Sequence, residues 1–254
     1  MLSFALTASL ARDTGASILL RIDDLDKDRV RPQYLQDIFD TLEFMGLPWN
    51  EGPRNPAGFE SHYAQRHRLH LYQEALGQLK EGGHVFACTC SRAQLLRQGK
   101  ETVYPGTCRH LNLPLDTPGA SWRLRTDPQK EMEIKTVSRG TIKTFLPASL
   151  QDFVVRKKDG FPAYQLSSVV DDLHYGIDLI VRGSDLWPST IAQHYISSLP
   201  GYEKFKNIHF HHHALLTAPD GSKLSKSAGS TSIHQLRKEG RSREEILAII
   251  TESQ

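Results

Sequence analysis

Residues 17–22, Ser-Ile-Leu-Leu-Arg-Ile, form a short and almost uninterrupted apolar run. A run of strand length without polar alternation is typical of a strand buried on both faces of a parallel sheet. Helical apolar stripes flank it, one over residues 2–14 and another over residues 32–45, and a third helix is predicted at roughly 63–80. This alternation of strand and helix predicts an α/β fold with a parallel sheet and crossover helices.

Carboxylates follow the apolar run at Asp23, Asp24 and Asp26. In open α/β sheets this end of a strand is the edge at which ligands bind. An acidic cluster here also fits the start of a solvated loop. On the residues alone, the two interpretations have about equal weight.

The composition places this chain among globular proteins. It has 254 residues, 39% of them hydrophobic, and a formal net charge of +2. That length fits one large domain or two modest ones, and so small a charge does not by itself indicate nucleic-acid binding. Because no segment has the apolar length of a membrane span and no secretory signal is evident, we expect a cytoplasmic protein without a membrane partner.

The three cysteines, Cys88, Cys90 and Cys108, fall within one segment. In a reducing compartment, an odd number of clustered thiols favours metal binding over a disulfide framework, and zinc is the natural candidate. Three thiolates and one further donor would complete a closed, structural site, and His110 is a chemically suitable fourth ligand. Ordinary buried cysteines are the alternative.

Two further groups suggest ligand binding. Lys223, Ser225 and Lys226 lie in a Gly- and Ser-flanked segment, where mobile ammonium groups could follow the charge of a polyphosphate, although a solvated Lys-rich loop fits as well. Arg182 ends an apolar run, and its fork suits a carboxylate; a structural ion pair is the alternative. The His-rich run at 209–213 is interpreted as a strand, with metal binding a minor possibility.

Several motifs together resemble one enzyme family. The sequence KLSKS at 223–227 is similar to the KMSKS signature of class I aminoacyl-tRNA synthetases. RIDDLD at 21–26, LPWNEGP at 47–53, Gln65-Arg66 and VRGSDL at 181–186 resemble segments of glutamyl-tRNA synthetases and of their short relatives, the glutamyl-Q tRNA(Asp) synthetases. This similarity extends almost to the end of the chain.

The resemblance implies a class I synthetase fold. We expect a Rossmann-type parallel sheet without its first strand, carrying an inserted zinc-containing α+β subdomain. The implied boundaries are a first catalytic half at 1–87, the insertion at 88–162, a second catalytic half at 163–222, and the KLSKS loop with a C-terminal helix at 223–254.

The resemblance also implies residue roles. Asp23, Tyr164 and Arg182 would bind glutamate, with Asp23 standing where the family has a longer Glu. Lys223, Ser225 and Lys226 would bind ATP, which acts with Mg²⁺, and the two lysines would stabilise the departing pyrophosphate. Structural Zn²⁺ would be bound by four ligands, namely Cys88, Cys90, Tyr104 and Cys108. His110 remains the rival to Tyr104.

The expected function is ATP-dependent activation of L-glutamate and its transfer to tRNA by a monomeric enzyme. Because the sequence stops shortly after KLSKS, tRNA(Asp) carrying queuosine is favoured over tRNA(Glu). A truncated glutamyl-tRNA synthetase and an inactive tRNA- or nucleotide-binding paralogue are the alternatives. No HIGH-like signature is present, so we expect the natural start to lie upstream, with an inactive remnant as the second explanation.

Overall fold

The computed structural model describes residues 1–26, 30–97, 103–216 and 232–252. They fall into two compact units. The first comprises Met1–Arg68, Val181–Asp185 and His212–Gln254, and the second comprises Leu69–Ile180 and Leu186–His211. Within the described ranges, no helix has both the length and the apolar character needed to cross a membrane.

Helices account for much of both units. The α-helices are α1 (Leu2–Thr14), α2 (Pro32–Phe44), α3 (Pro56–Gly58), α4 (Leu69–Glu81), α5 (Arg92–Arg97), α6 (Tyr164–His174), α7 (Trp187–Ser197), α8 (Ile233–Lys238) and α9 (Arg243–Glu252). A π-helix spans Phe59–Tyr63, and short 3₁₀ turns span Gln65–Arg68, Ala148–Leu150, Ser184–Leu186 and Glu203–Asn207.

The strands form two sheets. They are β1 (Val85–Cys88), β2 (Ser121–Leu124), β3 (Glu131–Thr136), β4 (Gly140–Phe145), β5 (Val154–Arg156), β6 (Leu179–Gly183) and β7 (His209–His213). The smaller sheet has the order β1-β2-β5, and both of its pairings are antiparallel. The larger has the order β4-β3-β7-β6; β3 pairs antiparallel with β4 and parallel with β7.

In the first unit, the segment that leads into the acidic residues packs against a helix. Helix α1 ends at Gly15, whose φ of 71° lets its N–H reach the carbonyl of Ala11. Helix α2 packs Leu35 and Phe39 against Leu20, as its apolar stripe predicts. At the other end of the unit, Ser242 and Glu245 form a reciprocal capping box that starts α9, with backbone-to-side-chain bonds of 2.8 and 3.2 Å.

Three features differ from the sequence predictions. The run at 17–22 forms only an isolated parallel bridge, Leu19 to Glu51, because among the described residues this is its single ladder partner. The segment predicted as one helix at 63–80 begins with π and 3₁₀ turns and becomes α-helical only at Leu69. A third difference is that the larger sheet is mixed rather than wholly parallel, since β3 pairs antiparallel with β4 and parallel with β7.

Candidate metal centre and substrate-binding residues

The cysteine cluster lies in the second unit, at the end of strand β1. Cys88 is the last residue of β1, Cys90 follows two positions later, and Cys108 lies in the turn at 107–110. Antiparallel pairing of Cys88 with Ser121 fixes this end of the strand, and the Ser121 hydroxyl donates to the Cys88 carbonyl at 3.1 Å. The three sulfur atoms all lie within 4.8 Å of one another.

Tyr104 brings an oxygen atom to the same cluster. The Cys88 thiol lies 3.5 Å from Tyr104 Oη, and the backbone N–H of Cys108 donates to that oxygen at 2.8 Å. Tyr104 is buried, whereas His110 is exposed. Among the described histidine, cysteine and acidic residues, the three cysteines are the only group of three or more close enough to share one ion, and His110 does not join them.

Two of the separations between these donors are close to those of tetrahedral zinc. Zn–S bonds of about 2.3 Å and Zn–O bonds of about 2.0 Å require S···S near 3.8 Å and S···O near 3.5 Å. Cys90 Sγ and Cys108 Sγ are 3.6 Å apart, and Cys88 Sγ lies 3.5 Å from Tyr104 Oη. All three cysteines are free thiols. The chemistry of the donor set and these two separations suit a zinc ion, whereas the three sulfurs together are bounded only by 4.8 Å, a separation that bound zinc would have to shorten.

Packing these acidic groups together changes their pKa values. Burial, followed by hydrogen bonding with Cys108, raises the pKa of Cys90 to about 12. Burial and the contact with Cys88 also raise the pKa of the Tyr104 phenol. For Cys108, burial opposes ionisation, but hydrogen bonds led by the Thr89 backbone N–H outweigh it and lower the pKa. A divalent cation at the centre of the cluster would reverse the two unfavourable shifts, because it supplies the missing positive charge.

A buried carboxylate anchors the loop that carries Cys108. Asp152, with a left-handed φ of 49°, accepts hydrogen bonds from the Thr126 backbone and forms an ion pair with Arg109. Arg109 also donates to the Thr126 carbonyl at 3.0 Å. This network could not be predicted from the sequence, since its members lie up to 43 positions apart and carry no local signal.

The acidic segment of the first unit is held by two different contacts. Arg21 Nε donates to Asp23 at 2.9 Å, so the carboxylate expected to bind an amine already has a cationic neighbour. Asp24 accepts from the Gln65 backbone at 2.7 Å, while the Gln65 side-chain oxygen accepts from Asp24 N–H at 2.8 Å and Leu25 N–H at 3.0 Å. This reciprocal arrangement holds the segment against the 3₁₀ turn that begins with Gln65, a role that the sequence analysis did not assign.

The other two residues predicted to bind the substrate glutamate lie on a strand and a helix. Arg182 belongs to the first unit, lies on β6 and has 8% of its surface exposed. Tyr164 belongs to the second unit, is the first residue of α6 and is 44% exposed. The predicted nucleotide residues Lys223, Ser225 and Lys226 lie outside the described residues.

The His-rich segment forms strand β7, as predicted. His213 Nδ1 contacts the Ala214 carbonyl at 2.7 Å, which makes Nδ1 the donor and leaves Nε2 to accept from the Ser3 hydroxyl at 2.7 Å. The tautomer of His213 is thereby fixed by two hydrogen bonds rather than by a metal ion.

Comparison with known proteins identifies the family. The family model described as "tRNA synthetases class I (E and Q), catalytic domain" matches residues 3–253. The chain belongs to this family. As a class I aminoacyl-tRNA synthetase domain it is a member of a ligase family, as the KLSKS and VRGSDL motifs predicted.

Among similar curated proteins are two glutamyl-Q tRNA(Asp) synthetases. The protein from Symbiobacterium thermophilum is 34% identical, with 93% of this chain and 76% of the relative covered. The protein from Pseudomonas fluorescens is 39% identical, with 85% and 67% covered. A glutamate–tRNA ligase 2 from Syntrophus aciditrophicus is 32% identical, with 91% of this chain and 49% of the relative covered.

Solved structures support the same fold. The glutamate-tRNA synthetase of Elizabethkingia anophelis has a TM-score of 0.72 at 23% identity, and a glutamate tRNA ligase from Elizabethkingia meningosepticum has 0.71 at 22%. The chain spans about half the length of each, 49% in both cases. The predicted class I synthetase catalytic fold is confirmed, with mixed sheets in place of a wholly parallel one.

Proposed function

We propose that this protein activates L-glutamate with ATP and transfers it to the queuosine of tRNA(Asp). The observation that carries the proposal is the similarity to proteins named glutamyl-Q tRNA(Asp) synthetase, at 34–39% identity. The glutamate–tRNA ligase 2 relative is less similar, at 32%, and supports glutamyl-tRNA(Glu) formation as the second candidate.

In the activation step, the α-carboxylate of glutamate attacks the α-phosphorus of ATP, and the bond to pyrophosphate breaks. The products are glutamyl-adenylate and pyrophosphate, after which an acceptor hydroxyl displaces AMP. The protein mainly positions the reactants and offsets charge. We assign Arg182 to a substrate carboxylate and Tyr164 to contact with the amino acid, while Lys223, Ser225 and Lys226 bind ATP with its Mg²⁺.

Asp23 is assigned to the substrate amino group. Its side chain is one methylene shorter than the family's Glu, and Arg21 Nε already donates to it at 2.9 Å. Competition from this guanidinium weakens the attraction of the carboxylate for an ammonium group. We therefore infer a weaker hold on glutamate than a Glu at position 23 would give, and Asp23→Glu should leave glutamate use equal or improved.

The cysteine cluster is proposed as a structural zinc site with Tyr104 as the fourth ligand. The ion would connect β1 to the loop at 104–108 and contribute its binding energy to folding. With four protein ligands it would leave no open position for substrate, so it takes no part in the activation chemistry.

The decisive experiment compares tRNA substrates. Purified protein is incubated with ATP, labelled glutamate and one of three tRNAs: tRNA(Asp) containing queuosine, the same tRNA with unmodified guanosine, and tRNA(Glu). The proposal requires labelling of the first alone. Labelling of tRNA(Glu) would replace it with the second candidate, and an absence of both labelling and pyrophosphate exchange in the full natural reading frame would favour a binding paralogue.

A further inference from the structure

Arg123 is a buried cation without a carboxylate partner among the described residues. It is 9% exposed and lies on β2, the central strand of the smaller sheet, where pairing with Phe86 and Val154 fixes its backbone. Its Nη1 donates to the backbone carbonyl of Asp152 at 2.9 Å, while the carboxylate of Asp152 pairs with Arg109 instead. Its buried Nε has no hydrogen-bond partner in the described structure.

Isolated buried charges are costly, and proteins normally pair them. The polypeptide therefore leaves one N–H of this guanidinium, at Nε, without an acceptor in the described structure. What the guanidinium does contact is an aromatic face: its Cζ lies 3.7 Å from the centroid of the Tyr104 ring. That ring also stacks on Phe86, with centroids 6.2 Å apart and planes inclined by 29°.

Tyr104 is the residue whose oxygen meets the cysteine cluster. A divalent cation bound by three thiolates leaves one net negative charge on the centre, before any charge on Tyr104 is counted. Arg123 supplies one positive charge on the adjoining ring. We propose that Arg123 is the positioning residue of the metal centre, which offsets the charge of the centre and holds the Tyr104 ring so that its oxygen faces the sulfurs.

This proposal rests on the proposed zinc site, and it makes a prediction that a packing role does not. With zinc bound, Arg123 has a counter-charge, so its replacement should weaken the centre. With zinc removed, Arg123 is an uncompensated buried cation, so its replacement should cost the fold little or even stabilise it. A residue that served only packing would matter equally in both states.

The test uses three variants. Arg123→Gln removes the charge, and Arg123→Lys keeps the charge without the planar fork. The matched control is Arg156→Gln, which removes a similar guanidinium, 5.0 Å from the Trp122 ring, from the neighbouring strand β5. Zinc affinity is measured by competition with a chromophoric chelator, and urea unfolding is followed with zinc and with excess chelator.

We expect Arg123→Gln to weaken zinc binding about 10- to 100-fold, the range found for outer-shell partners of metal sites. Arg123→Lys should lose less, and Arg156→Gln should bind zinc like the wild type. In a Tyr104→Phe background, the Gln substitution should cost less than it does alone, because the ring that Arg123 holds no longer carries a ligand oxygen. Arg123→Gln should lower unfolding stability only in the zinc-bound protein.

The outcomes separate the two proposals. A wild-type protein that binds no zinc overturns the metal centre itself. If the wild type binds zinc and Arg123→Gln binds it equally tightly, only the role of Arg123 fails. Equal destabilisation with and without zinc, or a Gln variant that cannot fold even in chelator, also overturns this role, because Arg123 would then serve the fold alone.

Discussion

Arg182 is 8% exposed and lies in β6, so its guanidinium is held in a narrow range of orientations. If it binds a substrate carboxylate through both arms, Arg182→Lys keeps the charge but loses one of two charge-assisted hydrogen bonds. We expect kcat/KM for glutamate to fall roughly 5- to 150-fold, which corresponds to a loss of about 1–3 kcal/mol of transition-state stabilisation. Pyrophosphate exchange at varied glutamate concentrations measures this.

The control for that measurement is Arg156→Lys, which makes the same chemical change on β5, a strand to which no substrate role is assigned. Its kcat/KM should match the wild type. Equal values for the Arg182 variant and the wild type would remove Arg182 from the glutamate site.

Tyr104 and His110 offer a matched pair of substitutions at the metal centre. Tyr104 Oη lies 3.5 Å from Cys88 Sγ, whereas His110 is exposed and outside the cluster. Removal of the fourth ligand by Tyr104→Phe should therefore lower zinc affinity, and His110→Ala should leave it unchanged. Zinc content after dialysis against a weak chelator gives the comparison. The reverse ranking would assign the fourth position to His110.

The segment 21–26 is held in place by Gln65, a residue about 40 positions further along the chain. Burial, only partly offset by the Gln65 backbone N–H, raises the pKa of Asp24 above its ordinary value of 3.8. The folded chain therefore holds this proton more tightly than the unfolded chain does. The stability that Asp24 contributes is greatest below pH 3.8 and falls as pH rises through the raised pKa.

Asp24→Asn should remove this pH dependence, because the amide oxygen still accepts from Gln65 but cannot ionise. The variant should gain stability relative to the wild type as pH rises through that interval, and the gain should level off above it. Urea unfolding of both proteins at closely spaced pH values tests the prediction. A difference in free energy of unfolding that stays constant with pH would contradict the assignment.

Local patterns predicted those elements whose stabilising contacts are close in sequence. The stripe of residues 2–14 with Gly15 gave α1, and Ser242 with Glu245 gave the start of α9. The prediction of an extended strand at 17–22 was wrong, because strand pairing depends on distant partners and, within the part of the chain that the structure describes, this segment bridges only to Glu51. Helical periodicity likewise could not reveal the π turn that precedes α4.

At the candidate sites, the residues with ligand chemistry were easier to predict than the residues that hold them in place. Cys88, Cys90 and Cys108 stand out by residue type and proximity in the sequence, and their sulfurs do converge. Arg123 and Asp152 do not stand out, because each acts through a long-range contact, with Tyr104 and with Arg109. A single sequence contains no signal for such pairs, since neither spacing nor composition requires them.

At the scale of the whole molecule, the proposed metal centre belongs to one of two compact units, so loss of the metal should destabilise that unit more than the other. All of the proposed ligands lie in the second unit, while α1 and α2 belong to the first. A structural zinc ion adds its binding energy to the fold only where its ligands are. Cys90→Ser should therefore release the metal and increase amide hydrogen exchange in β1 and in residues 103–110, while exchange in α1 and α2 stays near that of the wild type.

Hydrogen exchange with mass spectrometry resolves these segments within one experiment. Chelator treatment of the wild-type protein should reproduce the pattern of Cys90→Ser, and zinc should reverse it in the wild type alone. An equal increase in exchange throughout both units, relative to the zinc-bound wild type, would show instead that the ion supports global folding. Unchanged exchange at β1 would mean that the β1-β2-β5 sheet stands without the ion, because antiparallel pairing and the Arg109–Asp152 network already hold the loop.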